Sequence, residues 1–124
     1  MRKYLLRSFP MASLCLALGL STMASAAEIK GVLMDQACSG DFTSTGGQTK
    51  ALKHERACAL MEQCVKSGFG VITEDNKFLR FDDSGNQKML AMLQNSVQKD
   101  NLKIKVAGDV DGDTIKVQSI QWEQ

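Results

Sequence analysis

Hydrophobic and polar positions divide the chain into short strand-like and helix-like stretches. Five stretches have the β-prone or alternating composition of strands: 28–34, 69–73, 77–81, 102–106 and 114–122. Residues 74–76 and the pair Asp111-Gly112 have the composition of hairpin turns between neighbouring strands. The alternation slips between Val117 and Ile120, which predicts a β-bulge or a strand end at that point.

Two further stretches have helical spacing. In residues 51–66 the apolar side chains gather on one side of a helix drawn at 100° per residue, and Ser67-Gly68 supplies a stop signal. Residues 86–98 repeat apolar side chains at helical intervals after the helix-start residues 82–85. Residues 39–50 are polar and Gly-rich, which predicts a long loop before the first helix.

The order of these elements indicates a small, mainly β or α+β domain. With the helical insert at about 36–68 set aside, the order is that of a five-stranded OB-type barrel with a helix between strands 3 and 4. A generic α+β sandwich is the alternative. We find no internal repeat, so residues 27–124 are expected to form one domain.

The first 26 residues have the pattern of a secretory signal peptide. A positive start at 2–7 precedes an apolar stretch at 9–20, and Ala24-Ser25-Ala26 resembles a cleavage site. The apolar stretch is about a dozen residues long, whereas a transmembrane helix needs roughly 20. We therefore expect a periplasmic or secreted protein with no integral membrane segment after cleavage, and Cys15 would leave with the signal.

Charge argues against nucleic acid as a partner. Loss of Arg2, Lys3 and Arg7 lowers the Lys and Arg count from 15 to 12 against 14 Asp and Glu, a net charge of about −2. Nucleic-acid and anionic-membrane binding need basic patches. A protein or a small ligand is the expected kind of partner.

Three cysteines remain after the signal: Cys38, Cys58 and Cys64. An oxidising compartment favours disulfides, but an odd number leaves one thiol over. In a continuous helix over 51–66, Cys58 and Cys64 would lie about 9 Å apart along the axis, beyond the about 7 Å limit between bridged Cα atoms. Cys38 with one of the two helical cysteines is therefore the predicted disulfide.

The same segment offers candidate metal ligands. His54 and Cys58 are four residues apart, so a helix would place both side chains on one face. Cys38 and Cys64 would complete a Cys3His set, which suits tetrahedral zinc. A methionine sulfur such as that of Met61 would instead favour Cu(I). Plain core packing of the sulfur-containing side chains is the simpler alternative.

Catalytic motifs give little support to an enzyme. The sequence has no Ser-His-Asp set, CxxC pair, haem-attachment motif or phosphate loop. His54 and Cys58 could form an imidazole–thiolate pair, but the sequence identifies no third group to orient it. The acidic run 109–113 does not fit a calcium loop, because Thr114 and Ile120 stand where Gly and Glu are required. We expect a binding module without catalytic activity.

The cysteine–histidine pattern resembles that of a known group of small exported bacterial proteins, which have an OB-like (BOF or tRNA-anti-like) barrel with a Cys/His insert. The resemblance covers nearly all of residues 27–124. It is carried by the run from Gly31 to Cys38 (Gly-x-x-x-Asp-x-x-Cys), by His54-x-x-x-Cys58 and by Cys64-Val65-Lys66-Ser67-Gly68. It implies that the motif positions here are Asp35, Cys38, His54, Cys58 and Cys64. The biochemical role of this group is poorly defined, so the resemblance implies a fold more than a function.

Asp35 and Met61 are expected to support the site from outside its ligand set. The Asp35 carboxylate could accept a hydrogen bond from the His54 ring and fix its tautomer. Alternatively it could cap backbone N–H groups at a strand end.

Three hypotheses follow from these observations. The first is a small binding protein that holds copper or zinc on Cys38, His54, Cys58 and Cys64. The second is an interaction module whose Cys38 disulfide holds the insert in place for a protein or small-ligand partner. The third is a thiol redox protein.

Overall fold

The computed structural model describes residues 26–123, in which five strands and five helices are found. In chain order they are β1 (Ala27–Asp35), α1 (Gln36–Ser44), α2 (Gly47–Ala51), α3 (Arg56–Ala59), α4 (Glu62–Ser67), β2 (Phe69–Thr73), β3 (Phe78–Phe81), α5 (Asp83–Asn95), β4 (Lys103–Asp111) and β5 (Thr114–Trp122). None of these helices is long and apolar enough to cross a membrane. The predicted signal peptide, with Cys15, lies outside the described residues except for Ala26.

The five strands form one sheet that closes in a ring in the order β1, β2, β3, β5, β4. Four of the pairings are antiparallel, and β3 runs parallel to β5 through Arg80–Thr114 and Phe81–Ile115. Helix α5 lies between β3 and β4 in the chain and packs on β5. The molecule is therefore a small α+β protein with a closed five-stranded sheet. This confirms the predicted α+β class and the predicted number of strands.

Strand β1 pairs with both β2 and β4 and so closes the ring. Its first part pairs with β4 and its last part with β2, while Gly31 and Val32 pair with both neighbours. A Cβ atom at Gly31 would lie 2.2 Å from the Ile72 carbonyl oxygen, which is far inside van der Waals contact. Glycine is therefore required where β1 changes partners.

Two apolar clusters form on the two faces of β1. Leu33 points into the larger one, inside the ring, together with Phe69, Ile104 and the α5 residues Met89 and Leu93. The neighbouring residues of β1 point the other way, because strand side chains alternate. This second cluster consists of Val32, Met34, Ala51 and Ile72, with Cys38, Phe42, Leu52 and Phe78 packed against it. The second cluster attaches the helical insert to the outside of the sheet.

The strand predictions are largely confirmed. The bounds of β2 and β5 agree with the predicted 69–73 and 114–122, and β4 continues five residues beyond the predicted 102–106 to reach the turn. Gly112 has φ 63° in the hairpin turn between β4 and β5. Along β5 the pairing steps from Val117 to Ser119 opposite Gly108 and Ala107, so Gln118 is an extra residue. The predicted bulge between Val117 and Ile120 is therefore present.

The predictions for the insert are wrong in two places. Residues 39–50 do not form a loop, because α1 begins directly after β1 and α2 follows it. In α1 the hydroxyls of Ser39, Thr43 and Ser44 donate to carbonyl oxygens three or four residues earlier in the chain. Polar side chains thus bond to carbonyl groups of their own helix here. Composition alone does not distinguish such a polar helix from a loop.

The continuous helix predicted over 51–66 is broken into short pieces. In an unbroken helix the Arg56 N–H would donate to the Leu52 carbonyl. Here the Leu52 carbonyl accepts instead from Asn101 N at 2.9 Å, and Arg56 N donates to the Lys99 carbonyl at 2.8 Å. A second break falls at Met61, whose backbone is extended. Bonds to a segment distant in sequence therefore replace the local helical bonds.

Candidate functional site

The carboxylate of Asp35 lies at the junction of β1 and α1 and is fully buried. Its Oδ2 accepts a hydrogen bond from the Cys38 backbone N–H at 3.1 Å, which caps the start of α1. Its Oδ1 lies 2.9 Å from His54 Nε2. The two roles proposed for Asp35 from the sequence are both present, one on each oxygen.

The His54 ring is held between Asp35 and Phe42. Its side chain is 7% exposed, and the Phe42 ring meets it edge-on with centroids 5.5 Å apart. Burial by itself raises the pKa of the Asp35 carboxyl. The hydrogen bond and the charge interaction with His54, with a further contribution from Cys38, outweigh burial and bring this pKa below its ordinary value. An ionised carboxylate only accepts, so His54 Nε2 is the donor of this hydrogen bond.

The two thiols of Cys38 and Cys64 converge on the same carboxylate. One ligand atom from each of Asp35, Cys38 and Cys64 lies within 4.8 Å of the other two. We call these three residues the dithiol–carboxylate cluster. Cys64 is buried, and Cys38 is partly exposed. The cluster therefore lies at the edge of the insert, within reach of solvent.

Two hydrogen bonds hold together the helices that carry these thiols. Cys38 is on α1 and Cys64 is on α4. Gln36 N donates to the Gly68 carbonyl at 2.8 Å, and Ala37 N donates to Ser67 Oγ at 3.1 Å. The start of α1 is thus attached to the end of α4, and this attachment brings residues 26 positions apart in the chain together.

Both thiols of the cluster are stabilised in the protonated form. Burial, followed by the negative charge of Asp35, raises the pKa of Cys38 to about 11. Burial and Asp35 also raise the pKa of Cys64, while a hydrogen bond with Cys38 acts in the opposite direction. A cation bound between them would reverse this effect, because it would stabilise both thiolates and the carboxylate.

The other two predicted site residues occupy different positions. Cys58, on α3, is exposed and lies outside the cluster, and Met61 is 47% exposed at the start of α4. His54 reaches the cluster through Asp35. The predicted four-residue ligand set is thus divided, with Cys38 and Cys64 in the cluster and Asp35 in a more central position than its sequence suggested.

A surface groove of about 430 Å³ lies on the insert next to His54. It is lined by Phe42, Lys50, Lys53, His54, Glu55 and Cys58. The Lys50 ammonium lies 5.1 Å from the centre of the Phe42 ring, a cation–π contact. His54 therefore connects the groove on one side with the dithiol–carboxylate cluster on the other.

Comparison with known proteins finds no matching family model, no similar curated protein and no similar solved structure. The assignment of a function therefore rests on the residues of the site.

Proposed function

We propose that this protein is a small binding protein that holds a divalent transition metal ion, best matched by Zn²⁺, on Asp35, Cys38 and Cys64. The observation that carries the proposal is the convergence of two thiol sulfurs and a carboxylate oxygen within 4.8 Å. Two sulfurs bound to a tetrahedral zinc at about 2.3 Å lie about 3.8 Å apart. Small side-chain rotations from the present arrangement would bring the three donors to that spacing.

The chemistry of the donor set favours zinc over copper. Methionine sulfur beside thiolates favours Cu(I), whereas carboxylate oxygen is a harder ligand. Zinc accepts thiolate sulfur, imidazole nitrogen and carboxylate oxygen in the same site. With Asp35 in the set, the mixed donors therefore suit Zn²⁺, and copper is the less favoured of the two metals expected from the sequence.

His54 is proposed to act through Asp35. Its Nε2–H is directed at Asp35 Oδ1, so it orients the carboxylate in the way that outer-sphere partners orient metal ligands. The Phe42 ring on its other side restricts its movement. This exchanges the roles that the sequence suggested, because Asp35 becomes the ligand and His54 its support.

Three protein ligands leave one tetrahedral position for solvent or for a group of a partner. Cys38 is partly exposed, so solvent reaches the edge of the cluster. Zinc sites with an open position are exchangeable or reactive, whereas purely structural sites are closed by four protein ligands. We therefore infer that binding and release of the metal is the activity of this site.

We also propose that the closed sheet is an OB-like fold and that the protein is exported. The strand order and the helix between β3 and β4 support the OB-like interpretation. Export to the periplasm or the medium is supported by the signal-peptide pattern of residues 1–26.

A second candidate function is an interaction module held together by a disulfide between Cys38 and Cys64. The observation in its favour is the same proximity of the two thiols. This candidate predicts no metal in the purified protein and one remaining thiol, on Cys58.

Zinc titration of the reduced protein tests the proposal. We expect one Zn²⁺ per chain, measured by competition with a chromophoric chelator. Loss of an outer-sphere partner weakens metal binding by about 10- to 100-fold. Cys38→Ser and Cys64→Ser each remove a ligand, so each should weaken zinc binding by more than that. His54→Gln should fall within that range, because the carboxylate remains while its orientation is lost.

Cys58→Ser is the matched control, since it removes a thiol from the same insert but outside the cluster. It should bind zinc as the wild type does. Circular dichroism of each variant separates loss of the site from loss of the fold. Reduced wild-type protein that binds no zinc, or a Cys58→Ser variant that loses binding as fully as Cys64→Ser, would overturn the proposal.

A further inference from the structure

The three thiols of the described chain divide into a pair and a single residue. The Cys38 and Cys64 sulfurs lie within 4.8 Å of each other, whereas Cys58 is exposed outside their cluster. A disulfide needs a sulfur–sulfur distance of about 2.05 Å, so closure requires a movement of less than about 3 Å. Rotation of two side chains on adjoining helices provides movement on this scale.

The order of the helices explains why Cys64, and not Cys58, lies next to Cys38. The bonds from Gln36 and Ala37 to Gly68 and Ser67 hold the start of α1 against the end of α4. Cys38 is in the first turn of α1 and Cys64 is in the middle of the short helix α4, while Cys58 is on α3, before the break at Met61. The break in the helix therefore separates the two cysteines that the sequence could not rank.

We propose that Cys38 and Cys64 form a reversible disulfide, and that this disulfide and the bound metal are mutually exclusive states of one site. The proposal rests on the metal-binding function proposed above and adds its regulation. Reduction gives two thiols that bind the metal as thiolates. Oxidation joins the same two sulfurs and removes both from the ligand set.

The oxidant is a disulfide RSSR, either a small molecule or a disulfide of a partner protein. Cys38, the more exposed of the pair, attacks as a thiolate, breaks the S–S bond of RSSR and releases RS⁻. The Cys64 thiolate then attacks the Cys38 sulfur of the mixed disulfide and releases a second RS⁻. The two protons of the protein thiols end on the released groups, so dithiol and RSSR give the protein disulfide and two RSH.

The surroundings of the pair can accommodate the disulfide. Cys64 is buried and Cys38 is partly exposed beside the Asp35 carboxylate. A disulfide carries no charge and does not depend on Asp35. The hydrogen bonds of Asp35 to Cys38 N and His54 Nε2 involve no sulfur atom, so they remain available in both states.

Peptide mapping of protein equilibrated with oxidised glutathione tests the pairing. Cleavage after Lys, Arg and Glu separates all three cysteines, because Glu62 lies between Cys58 and Cys64. We expect the peptide containing Cys38 linked to the one containing Cys64, with Cys58 free or glutathionylated. The Cys58→Ser variant should give the same link, and a Cys38–Cys58 link as the main product would overturn the proposal.

Zinc binding is measured on the same samples before oxidation, after it and after reduction. We expect one Zn²⁺ per chain in the reduced protein, loss of at least nine-tenths of it on oxidation, and recovery on reduction. Oxidised protein that carries the Cys38–Cys64 link and still binds zinc overturns the exclusivity. Zinc binding with no such link overturns the regulation alone, whereas reduced protein that binds no zinc overturns the proposed function as well.

Discussion

At the scale of single residues, Asp35 connects the fold to the site. One of its oxygens caps α1 and the other holds His54, while the thiols of Cys38 and Cys64 approach the same group. The sequence suggested the cap and the histidine contact as alternatives. It could not show that one carboxylate makes both, because His54 is 19 residues away and its position depends on how the insert folds.

Asp35→Asn should destabilise the protein by about 1–3 kcal/mol, since an amide nitrogen cannot accept and one buried donor is left unpaired. Urea unfolding measures this. The Asp35 pKa is below its ordinary value of 3.8, so its stabilising contribution is complete above that pH and is lost as the pH falls through the folded-state pKa. The difference between wild type and variant should shrink accordingly in acid.

Asp41→Asn is the control for this variant, because Asp41 is also on α1 but its side chain is exposed. Its free energy of unfolding should stay within about 0.5 kcal/mol of the wild type. Equal stability of the Asp35 and Asp41 variants would contradict the connecting role of Asp35.

The three thiols should also differ in reactivity. With a pKa of about 11, Cys38 is about one part in a thousand thiolate at pH 8, and Cys64 is buried. Iodoacetamide at pH 8 should therefore modify the exposed Cys58 first, at least about tenfold faster than either of the others. Mass spectrometry of the separated peptides gives the three rates, and labelling of Cys38 as fast as Cys58 would contradict the structure.

At the scale of elements, the sequence predicted the sheet better than the insert. Alternation and turn residues determine a strand locally, so β2, β5 and the hairpin after β4 were found at or near their bounds. The apolar residues of 51–66 do recur at helical spacing, but this spacing does not show whether the helix is unbroken. The Leu52 carbonyl and the Arg56 N–H bond to residues 99–101, about 45 positions later, and this competition has no local signal.

The breaks in the predicted helix change which residues come together in the site. The predicted helix placed His54 and Cys58 on one face and suggested them as joint ligands. The breaks instead bring Cys64 to Cys38 and leave Cys58 on the surface. The residue types of the site were visible in the sequence, but their grouping depended on tertiary hydrogen bonds.

Helix α5 offers a separate test at this scale. Asp82 Oδ1 accepts from Gly85 N at 3.0 Å as the N-cap and from Val117 N at 3.3 Å beside the bulge in β5. Asp82→Ala should cost about 1–2 kcal/mol in thermal or urea unfolding, near the upper end for a cap, because two donors lose their acceptor. Asp83→Ala, at the exposed neighbouring position, should cost less than half as much, and equal losses would contradict the double role.

At the scale of the whole molecule, a closed sheet carries a smaller insert, and the dithiol–carboxylate cluster lies where the two meet. The cluster of Val32, Met34, Ala51 and Ile72 attaches the insert to the outside of the ring. A metal bound to Asp35, Cys38 and Cys64 would join the end of β1 to α1 and α4. Metal binding is therefore expected to stabilise the folded state as a whole.

Zinc at about 100 times its dissociation constant should add about 2.7 kcal/mol to the free energy of unfolding of the reduced protein. For a domain of this size that corresponds to a rise in melting temperature of about 10 °C or more. Calorimetry with and without zinc measures it. The Cys64→Ser variant should show no comparable rise, and an equal rise in that variant would place the metal elsewhere.

X-ray absorption at the zinc edge tests the central claim most directly, because it counts the atoms bound to the metal. The reduced protein loaded with one Zn²⁺ should show two sulfur atoms at about 2.3 Å, with oxygen or nitrogen in the remaining positions. Cys58→Ser should leave this spectrum unchanged. Three sulfur atoms around the zinc, or none, would contradict a site made by Asp35, Cys38 and Cys64.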